Sequence, residues 1–414
     1  MKADSAHWRV LTPPTWPAPP PEMSVSMHAA IDECPRRWAL SAAEYPDIWS
    51  GRGYPPKLQA AALAGSVVHL ALEIITKQLT CAGVPSLNDP SATQVLKELG
   101  GYTRVVEDCV ERILKRFSDN PRALPLMEHA QRTLRGQVPT LRARVQSMLA
   151  RLRLPKGASP TPTTSAVKTA GPPTRSPLAN GTYPEVEVRA KSIGLRGKID
   201  LLVLGDDACE ITDFKTGVPD EHHKFQVRVY ALLWSRDADV NPDRRRADRL
   251  VLAYEHGDVE VEAPSDADLD QLERHLTAQT AAALVSLSQK PPEAKPHPQQ
   301  CPSCDVRHLC TEYWTRETQH LMGTALRERH IADATLAITG AHGPSSWDGL
   351  IVSGAIAKKG QRVLLRADGR SLALLPSQVV RVLSAHVSGT PEDDDSESVL
   401  IFTLVATSEV FLVP

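Results

Sequence analysis

The sequence predicts an α/β core with a long helical insertion, followed by a small all-β barrel. Three observations carry this. Two short, β-rich apolar runs, 195–204 and 209–214, flank the turn signal Gly205-Asp206-Asp207 and read as a hairpin. Residues 59–79 are apolar at helical spacing, and 90–154 continue as two or three further helices. From Trp347 onward short apolar runs alternate with turns: WDGLIVSGAI, QRVLLRA, SLALLP, QVVRVLSAHVS, ESVLIFTLVA and EVFLVP.

Taken in order, residues 1–22 are a proline-rich arm, expected to be extended and loosely packed. Ser24 or Ser26 can cap the helix that follows, which leads to Cys34. The helix of 59–79 carries His69 on its apolar run, with Gly65 one turn earlier, where it would allow a close approach. Glu73 is expected to be solvated. From Gln131 to Lys156 there are many arginines and no acidic residue. Arg142, Arg144 and Arg151 are therefore candidate contacts to a phosphate backbone, the alternative being a solvated helix face. Residues 155–183 are rich in Pro, Thr, Ser, Ala and Gly and read as a flexible linker. The sheet occupies 184–260, and a helix follows at Asp266–Leu287. Cys301, Cys304 and Cys310 form Cys-x2-Cys-x5-Cys, a strong metal signal that zinc or an iron–sulfur cluster could answer. His308 could complete a zinc site locally. Residues 316–345 read as a helical connection, and 346–414 as an OB-like or SH3-like barrel. An OB-like module holding single strands would need exposed aromatics, for which Trp347, Phe402 and Phe411 are available. A protein-docking barrel is the competing reading, and the acidic loop 391–398 would repel a phosphate backbone.

Composition sets limits. The net charge is −2, so any nucleic-acid partner must be met by local basic surface. Seven scattered cysteines without a signal-peptide pattern imply reduced thiols and a cytoplasmic protein. Cys81, Cys109 and Cys209 are expected to be buried. No apolar run approaches the ~20 residues of a membrane span.

The hairpin carries the chemistry. Asp200 lies inside the first strand, while Asp213 and Lys215 end the second. Residues two apart on a strand share a face, so Asp213 and Lys215 point one way and Phe214 the other. A carboxylate within an apolar strand is costly to bury by itself. Two carboxylates and a lysine on one face make sense around a hard divalent cation, with the lysine activating an attacking water. The bland alternative is an ion pair on an edge strand. Glu210 has the opposite parity and is left out.

G-K-I-D at 197–200, D-F-K-T-G at 213–217, Gln226-x3-Tyr230, the histidine in G-S-V-V-H-L-A-L-E and the split set of four cysteines together resemble the PD-(D/E)XK nuclease superfamily. They are most similar to its RecB-like branch, which includes CRISPR-associated exonucleases. The resemblance runs from residue 24 to 315, a nuclease domain of 23–315 in all. It implies a restriction-endonuclease-like core acting on DNA that is single-stranded or has a free end. His69, Asp200, Asp213 and the Phe214 carbonyl would hold Mg²⁺ or Mn²⁺. Lys215 would be catalytic, and Gln226 and Tyr230 would position the strand. Glu185 or Glu187 would match a glutamate of that strand, with Glu187 taken as the supporting residue, and His222 and His223 could touch substrate. Cys34 with Cys301, Cys304 and Cys310 would bind a structural [4Fe–4S] cluster, with Zn²⁺ on the late cysteines as the alternative. Neither the low-complexity insertion nor the barrel belongs to the resemblance. A nucleic-acid-binding or scaffold subunit on the same fold is the second reading. No G-x4-G-K-[ST] motif occurs, so unwinding would fall to a helicase, repair or defence partner.

Overall fold

The computed structural model describes residues 7–49, 53–154, 175–367, 372–388 and 399–414. Most of the expected linker, 155–174, and the acidic loop 391–398 lie outside the described residues. The chain divides into two units: Pro19–Ala29 with Leu58–Val285, and Met1–Ala18 with Ala30–Lys57 and Ser286–Pro414. Residues 30–57 and 286–315 therefore group with the barrel and not with the sheet of 181–261.

The elements in chain order begin with β1 (His7–Arg9), β2 (Met23–Ser24), α1 (Val25–Glu33), α2 (Pro35–Ala42), α3 (Ala60–Cys81), α4 (Pro90–Glu98), α5 (Gly101–Lys115) and α6 (Met127–Ala150). Next come β3 (Gly181–Ala190), β4 (Leu195–Leu204), β5 (Cys209–Lys215), α7 (Glu221–Arg236), β6 (Arg249–Tyr254), β7 (Gly257–Val261) and α8 (Asp266–Ser288). The chain ends with α9 (Arg316–Glu328), β8 (Ile331–Gly343), β9 (Ser346–Gly354), β10 (Arg362–Ala367), β11 (Val379–Ser388), β12 (Leu400–Leu404) and β13 (Glu409–Val413).

In the first unit the expected hairpin is β4–β5, antiparallel with Leu204 opposite Cys209. β3 runs antiparallel along the whole of β4, while β2 pairs with the first two residues of its other side. β5 and β6 are parallel, which requires a crossover, and α7 supplies it. β7 closes the edge as a hairpin with β6. Ser24 caps α1, its hydroxyl accepting the Met27 N–H at 3.1 Å.

α3, α5 and α6 pack into one core with Leu201, Phe214 and Ala253 of the sheet. Val67, Val68, Ala71, Leu72 and Ile75 of α3 are completely buried. Each large side chain so buried contributes roughly 1.5–3 kcal/mol. α3 is also the one helix among the described residues long and apolar enough to cross a membrane, contrary to the expectation of none. Its apolar side is taken up by that core. Cys109 and Cys209 are buried as expected, whereas Cys81 is exposed.

Residues 175–183 are not linker. Arg175 pairs with Asp237 at 2.8 Å, Leu178 N–H donates to Val240 O at 3.0 Å, and Gly181 already begins β3.

In the second unit a five-stranded barrel runs β8-β9-β10-β12-β11 and closes because β11 also pairs with β8. β10 and β12 are parallel. β13 adds to the first half of β11, and β1 adds in parallel to β13. Part of the proline-rich arm is therefore a strand, not loose chain. The connection expected to be helical through 345 is helical only to Glu328. Ala332, Ala334, Leu336 and Ile338 are buried on one face of β8, a period of two that alanine and leucine disguise. SLALLP forms no strand over its described residues. Trp347, Phe402 and Phe411 are all buried, so none of them can stack on a base.

One buried network ties the cysteine segment to this barrel. Arg307, between Cys304 and Cys310, bonds Asp333 of β8 through Nε at 2.6 Å and Nη2 at 3.3 Å. Asp333 also accepts from the Tyr313 hydroxyl and the Ser384 N–H, each at 2.7 Å. The carboxylate is fully buried and fully satisfied.

Candidate active site

Lys215 stands at the end of β5, with Asp213 on the same side, while Phe214 enters the helical core. Lys215 Nζ lies 2.6 Å from Asp213 Oδ2 and donates to Gln226 Oε1 at 2.5 Å. Gln226 Nε2 donates to the Tyr230 hydroxyl at 3.0 Å. The last two residues are one turn apart on α7, so a single helix face completes a row Asp213–Lys215–Gln226–Tyr230. Beyond its ion pair with Lys215, the buried Asp213 Oδ2 makes no hydrogen bond of good geometry.

Asp200 lies on the neighbouring β4 and accepts the Phe214 N–H at 2.7 Å. His69 Nδ1 from α3 stands 3.9 Å from Asp200 Oδ2. Burial, and next the charge of Asp213, push the Asp200 carboxyl well above the usual carboxylate range. Burial lowers the His69 pKa against the opposing pull of Asp213, which keeps the imidazole neutral and its lone pair available. Burial, followed by the two carboxylates, raises the Tyr230 phenol, so it stays protonated and can donate. A buried carboxylate, Asp213, and a half-buried one, Asp200, that repel one another beside a neutral imidazole fit a hard divalent cation, which would relieve both costs. Among the described residues no three His, Cys, Asp or Glu side chains close up to metal-bonding geometry. Asp213 is drawn toward Lys215, so the donors are neighbours without being a finished shell.

Two glycines explain how the elements come this close. A Cβ on Gly65 would stand 2.8 Å from Thr216 Oγ1, so any larger residue there must push the Thr216 hydroxyl aside for α3 to stay this close to the end of β5. A Cβ on Gly197 would fall 2.8 Å from the Tyr230 ring and 2.9 Å from Leu233. Gly65→Ala is expected to displace His69, cost about 1–3 kcal/mol and depress turnover. Adding Thr216→Ala should restore both, and a double-mutant cycle on stability and rate checks it.

Of the two strand glutamates the sequence offers, the structure sets Glu185 and not the preferred Glu187 beside Asp200. Glu187 is exposed and paired with Arg189 at 2.5 Å. Glu185 is the one at the site: Pro184 pairs Leu201 and Val186 pairs Ile199, leaving Glu185 across from Asp200. It has φ 61° and an ion pair with Lys198. A non-glycine residue held there costs about 1–3 kcal/mol. The irregularity breaks strand parity, and no sequence signal announces it. Tyr254 was also missed. Its hydroxyl meets His223 Nδ1 at 2.9 Å, and burial and then Lys215 lower the pKa of that histidine. His222 is exposed.

A family model described as the PD-(D/E)XK nuclease superfamily matches residues 22–311. The chain belongs to this superfamily. The matched stretch contains His69, both aspartates, Lys215, Gln226, Tyr230 and the cysteines Cys34, Cys301, Cys304 and Cys310. No curated protein matches the chain. A solved structure titled "Crystal structure of SSO0001" is similar at 21% identity with a TM-score of 0.22, over 32% of this chain and 62% of that one.

In this PD-(D/E)XK protein two of the three arginines expected to meet phosphate are taken up by carboxylates. Arg144 is paired with Glu255 at 2.8 Å. Arg151 is paired with Asp258 at 2.9 Å and also bonds the backbone of Ser147 and Tyr254. Both therefore anchor α6 to the β6–β7 hairpin, which corrects the phosphate-contact expectation. Arg142 is exposed and bonds Thr103 Oγ1 at 3.4 Å. Glu73 is not solvated but bonds Lys77 at 2.5 Å beside the cleft.

The cysteines of the other unit line one cavity but, among the described residues, do not close up into a metal-binding group. Cys34 heads α2, and it lines one small, nearly apolar cavity of about 30 Å³ with Cys301, Cys304 and Cys310. Cys301 Sγ accepts the His297 N–H at 3.3 Å, and Cys304 and Cys310 also accept backbone N–H groups. Burial raises the thiols of Cys301, Cys304 and Cys310, that of Cys304 to about 12. His308 is elsewhere. Its ring stacks on Phe411 at 3.8 Å and its Nε2 meets the Tyr54 hydroxyl at 2.7 Å, so it is not placed to complete a zinc site.

Proposed function

We propose that the chain is a metal-dependent deoxyribonuclease of the RecB-like kind, acting on strands that are single or have a free end. The observation that carries this is the row Asp213–Lys215–Gln226–Tyr230 beside Asp200 and His69, the last two of which line an open cleft. Asp200, Asp213, His69 and the Phe214 carbonyl would hold Mg²⁺ or Mn²⁺. Bound there, the ion supplies Lewis-acid stabilisation of charge on the phosphate and lowers the pKa of water. Lys215 steadies the attacking water and the charge that develops in the transition state. Gln226 fixes the Lys215 ammonium, and the protonated Tyr230 hydroxyl holds the strand in register. Cleavage of end-labelled single strands with Mg²⁺ or Mn²⁺, abolished by EDTA, is the expected result. Intact strands under all these conditions would defeat the assignment.

The second part of the proposal is a structural [4Fe–4S] cluster on Cys34, Cys301, Cys304 and Cys310. Its support is the shared cavity and the N–H bonds to three of the sulfurs, which stabilise thiolate ligands. Protein purified anaerobically should be brown and carry about four irons, as the cluster type requires. Cys34→Ala and Cys301→Ala should each remove them. One zinc, unaffected by Cys34→Ala, would replace this part of the reading. We place the protein in the cytoplasm, in keeping with reduced thiols, serving DNA repair, recombination or defence.

A further inference from the structure

The cleft above Asp200 has about 460 Å³ of open space and is walled by α3 on one side and the C-terminal end of α5 on another. Its acidic lining is already engaged. Glu73 is held by Lys77, Glu185 by Lys198, and Asp200 by the Phe214 N–H. The Ser66 hydroxyl donates to Ala62 O at 3.0 Å. Arg116, the residue that ends α5, is the one arginine or lysine lining this space. It is exposed, and its side chain makes no hydrogen bond or ion pair among the described residues. A guanidinium that shares a cleft with three carboxylates and pairs with none of them is placed to receive an anion entering between them.

We infer that Arg116 grips a backbone phosphate of the substrate strand next to the one being cut, and so positions that strand over Asp200 and Asp213. This rests on the nuclease reading above. The planar fork suits two phosphate oxygens at once, which a lysine cannot match. Arg116 is a positioning residue, remote from the reacting atoms, and its contribution is to binding rather than to the chemical step.

The test uses the full chain. Binding of a fluorescent oligothymidylate is titrated at several salt concentrations in the Lys215→Ala background, with and without Arg116→Ala. Loss of a charged hydrogen-bonded contact should weaken binding about tenfold. One phosphate fewer should lower the salt slope by about 0.7. Arg116→Lys should recover the slope but only part of the affinity. In the otherwise unaltered enzyme, Arg116→Ala should raise KM and leave kcat close to its starting value. Unchanged affinity and slope would overturn the inference, even if the melting temperature moved, because a helix-end role alone affects only stability. If the unaltered chain cuts no strand, the nuclease reading fails, and the binding titration still decides whether Arg116 holds phosphate.

Discussion

Lys215→Ala is expected to leave a folded protein that binds single strands but cleaves them about 10²–10⁴-fold more slowly, the usual worth of a positioned proton-transfer group. The ammonium is the link between Asp213 and Gln226, 2.6 Å from one and 2.5 Å from the other. Alanine removes the charge that steadies the attacking water and releases Gln226 from its donor. It also leaves Asp213 Oδ2 buried without its partner, so some stability is lost, about 1–3 kcal/mol. A steady-state rate and a binding isotherm on the same preparation separate chemistry from folding. Undiminished cleavage would take Lys215 out of the reaction.

Asp333→Ala is expected to have the largest effect on stability. Arg307 is completely enclosed and its charge is matched by this carboxylate through two contacts. Removing one partner of a buried pair costs about 3–5 kcal/mol, because the remaining ion stays in the interior unmatched. The Tyr313 hydroxyl and the Ser384 N–H lose their acceptor at the same time. Denaturant unfolding should show an earlier midpoint, and Asp333→Asn should fall between alanine and the unaltered chain. A midpoint within about 0.5 kcal/mol of the original, the range of ordinary surface changes, would show that the network can reorganise.

The β4–β5 hairpin was legible because its signals are local. Gly205-Asp206-Asp207 ends one strand and begins the next, and parity puts Asp213 with Lys215. The Gln226–Tyr230 pair was legible because helical spacing fixes which residues share a face. The choice of Glu185 over Glu187 was not, since a backbone turned to φ 61° inside a strand changes parity without changing composition. The arginines of α6 misled for a different reason. Their partners Glu255 and Asp258 lie more than 100 residues away, on a hairpin the basic segment itself does not reveal. β8 misled because alanine and leucine favour helix locally, and only the closure of the barrel decides otherwise. Nothing in the spacing of Arg307 and Asp333 marks them as partners.

That pair bears on how the protein can be trimmed. The sequence motifs all end by residue 315, so a fragment stopped there would retain each of them. It would also retain Arg307 without Asp333, and Cys301 and Cys310 without the barrel residues they pack against. A protease or a shortened reading frame that removed the barrel would therefore strip the cysteine segment of its support. The smallest piece able to keep those cysteines together includes the C-terminal strands.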